Sequence, residues 1–156
     1  MTEGQALAPY LASRKGGWLN IVGAKWAGEE EIHKHAVIQV DQILAASSTD
    51  DAIPVRRPAP GAPRAVDIYL DDGTRMVGTL HLGGLQRLSD YLSVCGRFLP
   101  VLGCERLPGG EKLGDIALNA LCVKSIRGAP SNPPHAALDP GGPRPTGSFQ
   151  QLPEDE

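Results

Sequence analysis

Apolar and polar residues alternate along two regions of this chain, 18–49 and 65–127, with the period of half-buried strands. In the second region Val66, Ile68 and Leu70 alternate with Ala65, Asp67 and Tyr69, and after a break the pattern resumes with Met76, Gly78, Leu80 and Leu82 on one parity. The break is Asp71-Asp72-Gly73. Asp-Gly between alternating runs predicts a tight hairpin, because glycine accepts the positive φ that such a turn demands. The two adjacent carboxylates are therefore read as corner residues at a solvated tip, where they keep near-normal pKa values. General acid–base work asks for perturbed groups in a cleft instead.

Further along, QRLSDYLSVCGRF is either a short turn of helix capped by Ser89 or a loop returning the chain to the sheet. FLPVLGCERL, a turn at PGGEKLGD, and IALNALCVKSI then predict three more strands, with Pro100 marking an edge position or a bulge. Five strands over 65–127 suit a compact small barrel, which removes most exposed edges. In the first region WLNIVGAKW, the turn-like AGEEE, HKHAVIQV and QILAAS also read as strands.

The two regions show a weak repeat, with few identities, which either reflects duplication or is the chance similarity of two apolar strands. A shift of 80 residues lays Trp18-Leu19-Asn20-Ile21-Val22-Gly23 over Phe98-Leu99-Pro100-Val101-Leu102-Gly103, Ile38 over Leu118 and Ile43 over Val123 without a gap. Tyr10-Leu11 meets Tyr91-Leu92 one residue out of register. The N-terminal copy has no equivalent of the Asp-Asp-Gly hairpin, so an incomplete sheet with uncovered edges is expected there. The expected organisation is a partial β unit at 1–49, a Pro-rich extended linker at 50–64, a small barrel at 65–127 and a Pro/Gly-rich tail at 128–156. The linker carries Pro54, Pro58, Pro60 and Pro63 and no core of its own. The tail cannot offset its ordering entropy by self-burial, which leaves it disordered or laid along another surface.

Composition agrees with short strands and turns. The 156 residues are 41% apolar but only 4% aromatic, with 19 Gly and 14 Pro. The net charge of −3 resides wholly in the tail, where Asp139, Glu154, Asp155 and Glu156 face Arg144, so the body is neutral and lacks the basic stripe that phosphate backbones require. No apolar run approaches the length of a membrane span, and MTEGQALAPYLASRKGGW has no basic start followed by an apolar stretch, so the expected compartment is the cytoplasm. Cys95, Cys104 and Cys122 read as buried free thiols.

VDIYLDDGTRMVGTL resembles the first motif of Sm-like and related SH3-like small barrels: a strand, an acidic-Gly turn, and a strand ending in Gly-x-Leu. RLSDYL and IALNALCVKSI are similar to an uncharacterised bacterial domain family of that barrel type. The resemblance implies an all-β small-barrel fold. RNA binding, which it also implies, fits poorly. Ring-forming Sm proteins use an Asp and Asn pair in the first motif and Arg-Gly or Lys-Gly in the second. Here the chain has His81-Leu82-Gly83-Gly84-Leu85 and, in the matching register, Asn119-Ala120, while Ile126-Arg127-Gly128 follows the last strand.

Other chemistry is sparse. His33 and His35 share a strand face but lack further ligands, so no metal is expected. Ser89-Asp90 has no nucleophile elbow, and no glycine pair forms a phosphate loop, so neither catalytic residues nor a cofactor are expected. What remains is protein docking. Trp18 and Trp26 are most simply core or edge-cover residues and become anchors if exposed, Arg56 and Arg57 form with Arg64 a cluster that is solvated or docks a protein, and Pro133, Pro134 and Phe149 of the tail are strap residues. The leading expectation is a non-enzymatic accessory or scaffold subunit whose partners are other protein chains of a larger bacterial assembly. By fold analogy with the barrel on the cytoplasmic subunit of photosynthetic reaction centres, that assembly could be a membrane complex. The alternatives are an Sm-like RNA-binding protein and a small-ligand or regulatory binding domain.

Overall fold

A computed structural model describes residues 5–14, 16–50, 52–58, 60–85 and 87–129. The chain runs α1 (Leu7–Ser13), β1 (Trp18–Lys25), β2 (Ile32–Gln39), a one-turn 3₁₀ helix (Val40–Gln42), β3 (Ala45–Ala46), β4 (Pro63–Leu70) and β5 (Arg75–His81). It continues with α2 (Leu88–Val94), β6 (Phe98–Leu107), β7 (Glu111–Asn119), a second 3₁₀ turn (Ala120–Cys122) and β8 (Val123–Gly128). Strands β1 and β2 form a separate antiparallel pair, and the other six make one sheet in the order β3-β7-β6-β5-β4-β8. No helix among the described residues is long and apolar enough to cross a membrane.

The Asp-Asp-Gly turn folds as its spacing demands. Tyr69 pairs with Arg75, Leu70 N donates to Thr74 O at 2.9 Å, and Gly73 takes φ +87°. Asp72 Oδ1 accepts from Thr74 N at 2.8 Å, which holds its carboxyl below the usual carboxylate range rather than at it. Both acids are exposed corner residues. Alternation then carries Val66, Ile68, Leu70, Met76 and Leu80 inward to meet Leu99, Val101, Cys104, Ile116 and Leu118. Each fully buried leucine of this core contributes about 1.5–3 kcal/mol. Gly78 interrupts the apolar parity because β6 passes over it: a Cβ there would lie 2.5 Å from Val101 Cγ1. Pro100 sits where β6 pairs with β7 alone, beyond the last β5 partner at Leu102, so its missing N–H disrupts no ladder on that side.

On the outer side of β4, Asp67 lies 2.7 Å from Arg75 Nη2 and 2.9 Å from its Nε. The guanidiniums of Arg75 and Arg127 lie 5.5 and 5.0 Å from the Tyr69 ring centroid. The hydrogen bond from Arg75, helped by the charges of Arg75 and Arg127, holds the Asp67 carboxyl below its ordinary value. A carboxyl depressed on folding contributes stability that is present above its unfolded pKa and is lost as pH falls through the lowered folded value. Carbon-13 titration should therefore give Asp67 a midpoint below that of a free carboxylate, and Arg75→Ala should move it upward. An unmoved midpoint in that variant would break the assignment.

The expected all-β character holds in its coarser form: strands dominate, with two short helices, α2 at the segment read as helix or loop and α1, which was not foreseen. Leu7, Ala8 and Leu11 nonetheless stand at helical spacing, and Ala8 and Leu11 are buried. In α2 the N-cap is Arg87 and no side chain caps the helix, so Ser89 has another role, accepting at its carbonyl from Ser93 Oγ at 2.8 Å. The sheet is not a closed barrel, because β3 takes the edge of β7 and the outer edge of β8 stays unpaired among the described residues. Nor is 50–64 only a spacer. Val55 is buried with Ala8, Leu11, Leu19, Val40, Ile43, Phe98 and Ala117 in a second core. Leu7 N and Ala8 N donate to Pro54 O and Val55 O at 2.8 and 3.0 Å, which fixes the segment to the start of α1. Of the thiols, Cys104 is buried and its pKa is pushed up to about 11 by that burial, while Cys95 and Cys122 are half-buried. The tail beyond Ala129 lies outside the described residues.

The 80-residue relation extends through the structure. Helix, strand, strand, 3₁₀ turn and strand follow one another from 7 to 46 and again from 88 to 128. Trp18 pairs with Gln39 as Phe98 pairs with Asn119, and Val40 N donates to Gly17 O as Ala120 N donates to Arg97 O. Even the strand bend recurs, with Gly23 at φ +67° and Gly103 at φ +55°.

Candidate docking surface on the N-terminal hairpin

Cross-strand geometry sorts the β1–β2 hairpin into two faces, since directly opposed residues in an antiparallel pair share a side. Leu19, Ile21, Ile38 and Ala36 lie on one, and Leu19, Ile21 and Ile38 pack into the second core. The other carries Trp18 opposite Gln39, Asn20 opposite Val37, and Val22 opposite His35. On this face Trp18 is 68% exposed, Val22 74% and Val37 61%. Scattered exposed apolar residues are ordinary on a protein surface, but three on adjoining positions of one hairpin form a patch of the kind that marks an interaction site.

The β2 edge of the same hairpin is unpaired among the described residues. Val40 N bonds to Gly17 O, and strand alternation then turns the backbone groups of Ile38, Ala36 and Lys34 toward β1. Gln39, Val37, His35 and His33 direct theirs away from it. An apolar face beside an open strand edge can add a strand from a partner while side chains bury against Trp18.

The remaining sequence candidates fall elsewhere. Trp26, just past β1, is half-buried, with its ring 5.9 Å from that of His33. His33 Nε2 lies 3.0 Å from Glu29 Oε2, and no group of three or more potential metal ligands occurs among the described residues. Arg56 is half-buried, donates to Arg57 O at 3.2 Å and lines a shallow depression with Pro54, Val55, Pro58, Leu102 and Asp115. Arg57 is exposed. The structure thus does not bring the arginine cluster onto the Trp18 face through any pairing of their elements. Pro133, Pro134 and Phe149 lie outside the described residues.

Sequence reading missed Val22 and Val37 as partners of Trp18. The signal was present in IHKHAVIQ, where Val37 interrupts the parity of Ile32, Ala36 and Ile38 and so places an apolar side chain on each face. It also missed how the two halves join. Arg97 is ion-paired with Asp41, and buried Asn119 donates from Nδ2 to Ile43 O at 2.9 Å. No protein-family model, curated protein or solved structure matches this chain.

Proposed function

We propose that this protein is a non-enzymatic accessory or scaffold subunit that attaches to other protein chains through the outward face and free edge of its β1–β2 hairpin. The observation that carries this reading is the exposure of Trp18, Val22 and Val37 together on one face of a hairpin whose β2 edge has no partner strand among the described residues. An aromatic anchor ringed by the polar groups of Asn20, Gln39 and His35 has the composition of an interface centre with its rim. Residues 65–127 are read as a small barrel of the Sm-like or SH3-like type, opened at one seam. In support, β4 to β7 form a meander, and a 3₁₀ turn sends β8 back to pair with β4. The partner is a chain of a larger bacterial assembly on the cytoplasmic side, with the face of a membrane complex as one such setting.

The test uses the full chain, tagged and purified gently from its native source. A stoichiometric partner should accompany the wild type and be lost from Trp18→Glu, while the thermal unfolding midpoint stays within a few degrees because Trp18 is exposed. Equal retention by Trp18→Glu, or salt-sensitive retention on RNA in place of a protein partner, would overturn the reading.

A further inference from the structure

We propose that a second copy of this chain pairs the outer edge of its β8 with the free edge of β2, repeating between molecules the β3–β7 pairing made within one. The inference rests on the docking surface proposed above and names its occupant.

The internal contact is the template. Ala45 pairs with Leu118 and Ala46 with Ala117, and Asn119 N donates to Leu44 O at 2.8 Å. The 80-residue relation makes β8 the counterpart of β3, and β2 the counterpart of β7. Moving each partner by 80 residues in opposite senses sets Ser125 against Ile38 and Ile126 against Val37, with Gln39 N donating to Lys124 O.

Backbone direction permits this. Ala129 N donates to Ala65 O, and Asp67 pairs with Arg127 and Tyr69 with Ser125, so these odd residues of β8 bond to β4. Ile126 and Gly128 therefore present their N–H and C=O groups outward, as Val37 and Gln39 do on β2. Lys124, the extra residue where the register shifts between Ser125 and Val123, has no paired position on β4. Both edges expose the groups the pairing needs.

Side chains point the same way. Phe98 and Ala117, which the N-terminal half covers, are almost fully buried. Their counterparts are Trp18 and Val37, the exposed centre of the docking surface. The internal contact is also fastened by Asp41 and Arg97. At the counterpart positions stand Leu121, 70% exposed, and Gly17. Both charges are thus absent together, and an ion pair is replaced by an exposed leucine facing a residue without a side chain. No like charges are directly opposed in the new register: Lys124 meets Gln39, Arg127 meets Ala36 and Gly128 meets His35. Because the two edges differ, the contact is heterologous, and successive copies close into a ring or extend into a filament.

The experiment compares full-length wild type, Trp18→Glu and Val37→Pro by sedimentation over a range of concentrations. The Val37 N–H points away from β1, so proline there removes only the donor that the new pairing uses. Circular dichroism checks that each variant keeps its fold, and Trp18→Glu serves if Val37→Pro does not. Wild type should associate, and Trp18→Glu should weaken association about thirtyfold or more, the size of a central aromatic anchor. Mixed nitrogen-14 and nitrogen-15 chains treated with a lysine-reactive cross-linker should give an intermolecular Lys34–Lys124 link. The proposed register separates those residues by about 17 Å along the strands. A monomer at all concentrations, association unchanged in both variants, or a mixed oligomer without that link would overturn the inference. If the chain is monomeric yet Trp18→Glu still loses its native partner, the docking surface stands and only the second copy falls.

Discussion

Phe98→Ala is expected to lower the unfolding free energy by about 3–5 kcal/mol, while the same truncation at its counterpart, Trp18→Ala, changes it by less than about 0.5 kcal/mol. Phe98 is 3% exposed and stands between the halves, packed with Leu11, Leu19, Val40, Ile43 and Val55. Removing its ring leaves a cavity lined by elements far apart in sequence, and these cannot collapse without moving α1 or β7. Trp18 holds the same place in the earlier hairpin, yet its ring is mostly in water. Guanidinium unfolding midpoints of the two variants read the contrast directly. Similar losses at both positions would show that the Trp18 face is covered within the chain, and the docking reading would lose its basis.

The second large effect is expected at Asn119. Its side chain donates to Ile43 O at 2.9 Å, and its Oδ1 accepts from Leu121 N at 3.1 Å, while its own backbone N bonds to Leu44 O. One buried residue thus joins the N-terminal half to the sheet and holds the 3₁₀ turn that leads into β8. Asn119→Ala strands the Ile43 carbonyl, a loss of about 1–3 kcal/mol, and releases a second donor at Leu121. Unfolding experiments should show that loss together with faster exchange of the Asn119 amide, because the β3 edge loosens with it. A stability unchanged from wild type would mean that the shared core, the β3–β7 pairing and the Arg97–Asp41 pair hold the halves without the Asn119 side chain.

Local pattern was legible in the sequence, and remote pairing was not. The Asp-Asp-Gly hairpin, the strands around it and the position of Pro100 followed from alternation and turn chemistry, which act over a few residues. Helix α1 was harder, being two turns long and carrying only Leu7, Ala8 and Leu11 as its apolar signal. The two-residue β3 has no periodicity to read, and its choice of β7 as partner depends on a neighbour about seventy positions away. With β3 on the β7 edge, the six strands form an open sheet. Val55 likewise lies among prolines that suggest an extended spacer, yet a single apolar side chain there completes a core. The repeat was visible as spacing, but similar residues at Trp18 and Phe98 gave no hint that one would be buried and the other left in water. Their fates differ because α1, the first hairpin and Val55 pack over Phe98, while Trp18 is left exposed.

The account turns on the β1–β2 hairpin being an attachment edge. Hydrogen exchange along β2 tests this most directly, comparing the full chain in its associated form with the same chain after dilution to the monomer. The amides of Val37 and Gln39, which face away from β1, should exchange rapidly in the monomer and become protected on association, while those of Ile38 and Ala36 start protected and change little. Equal exchange of Val37 and Gln39 in both forms would contradict the account.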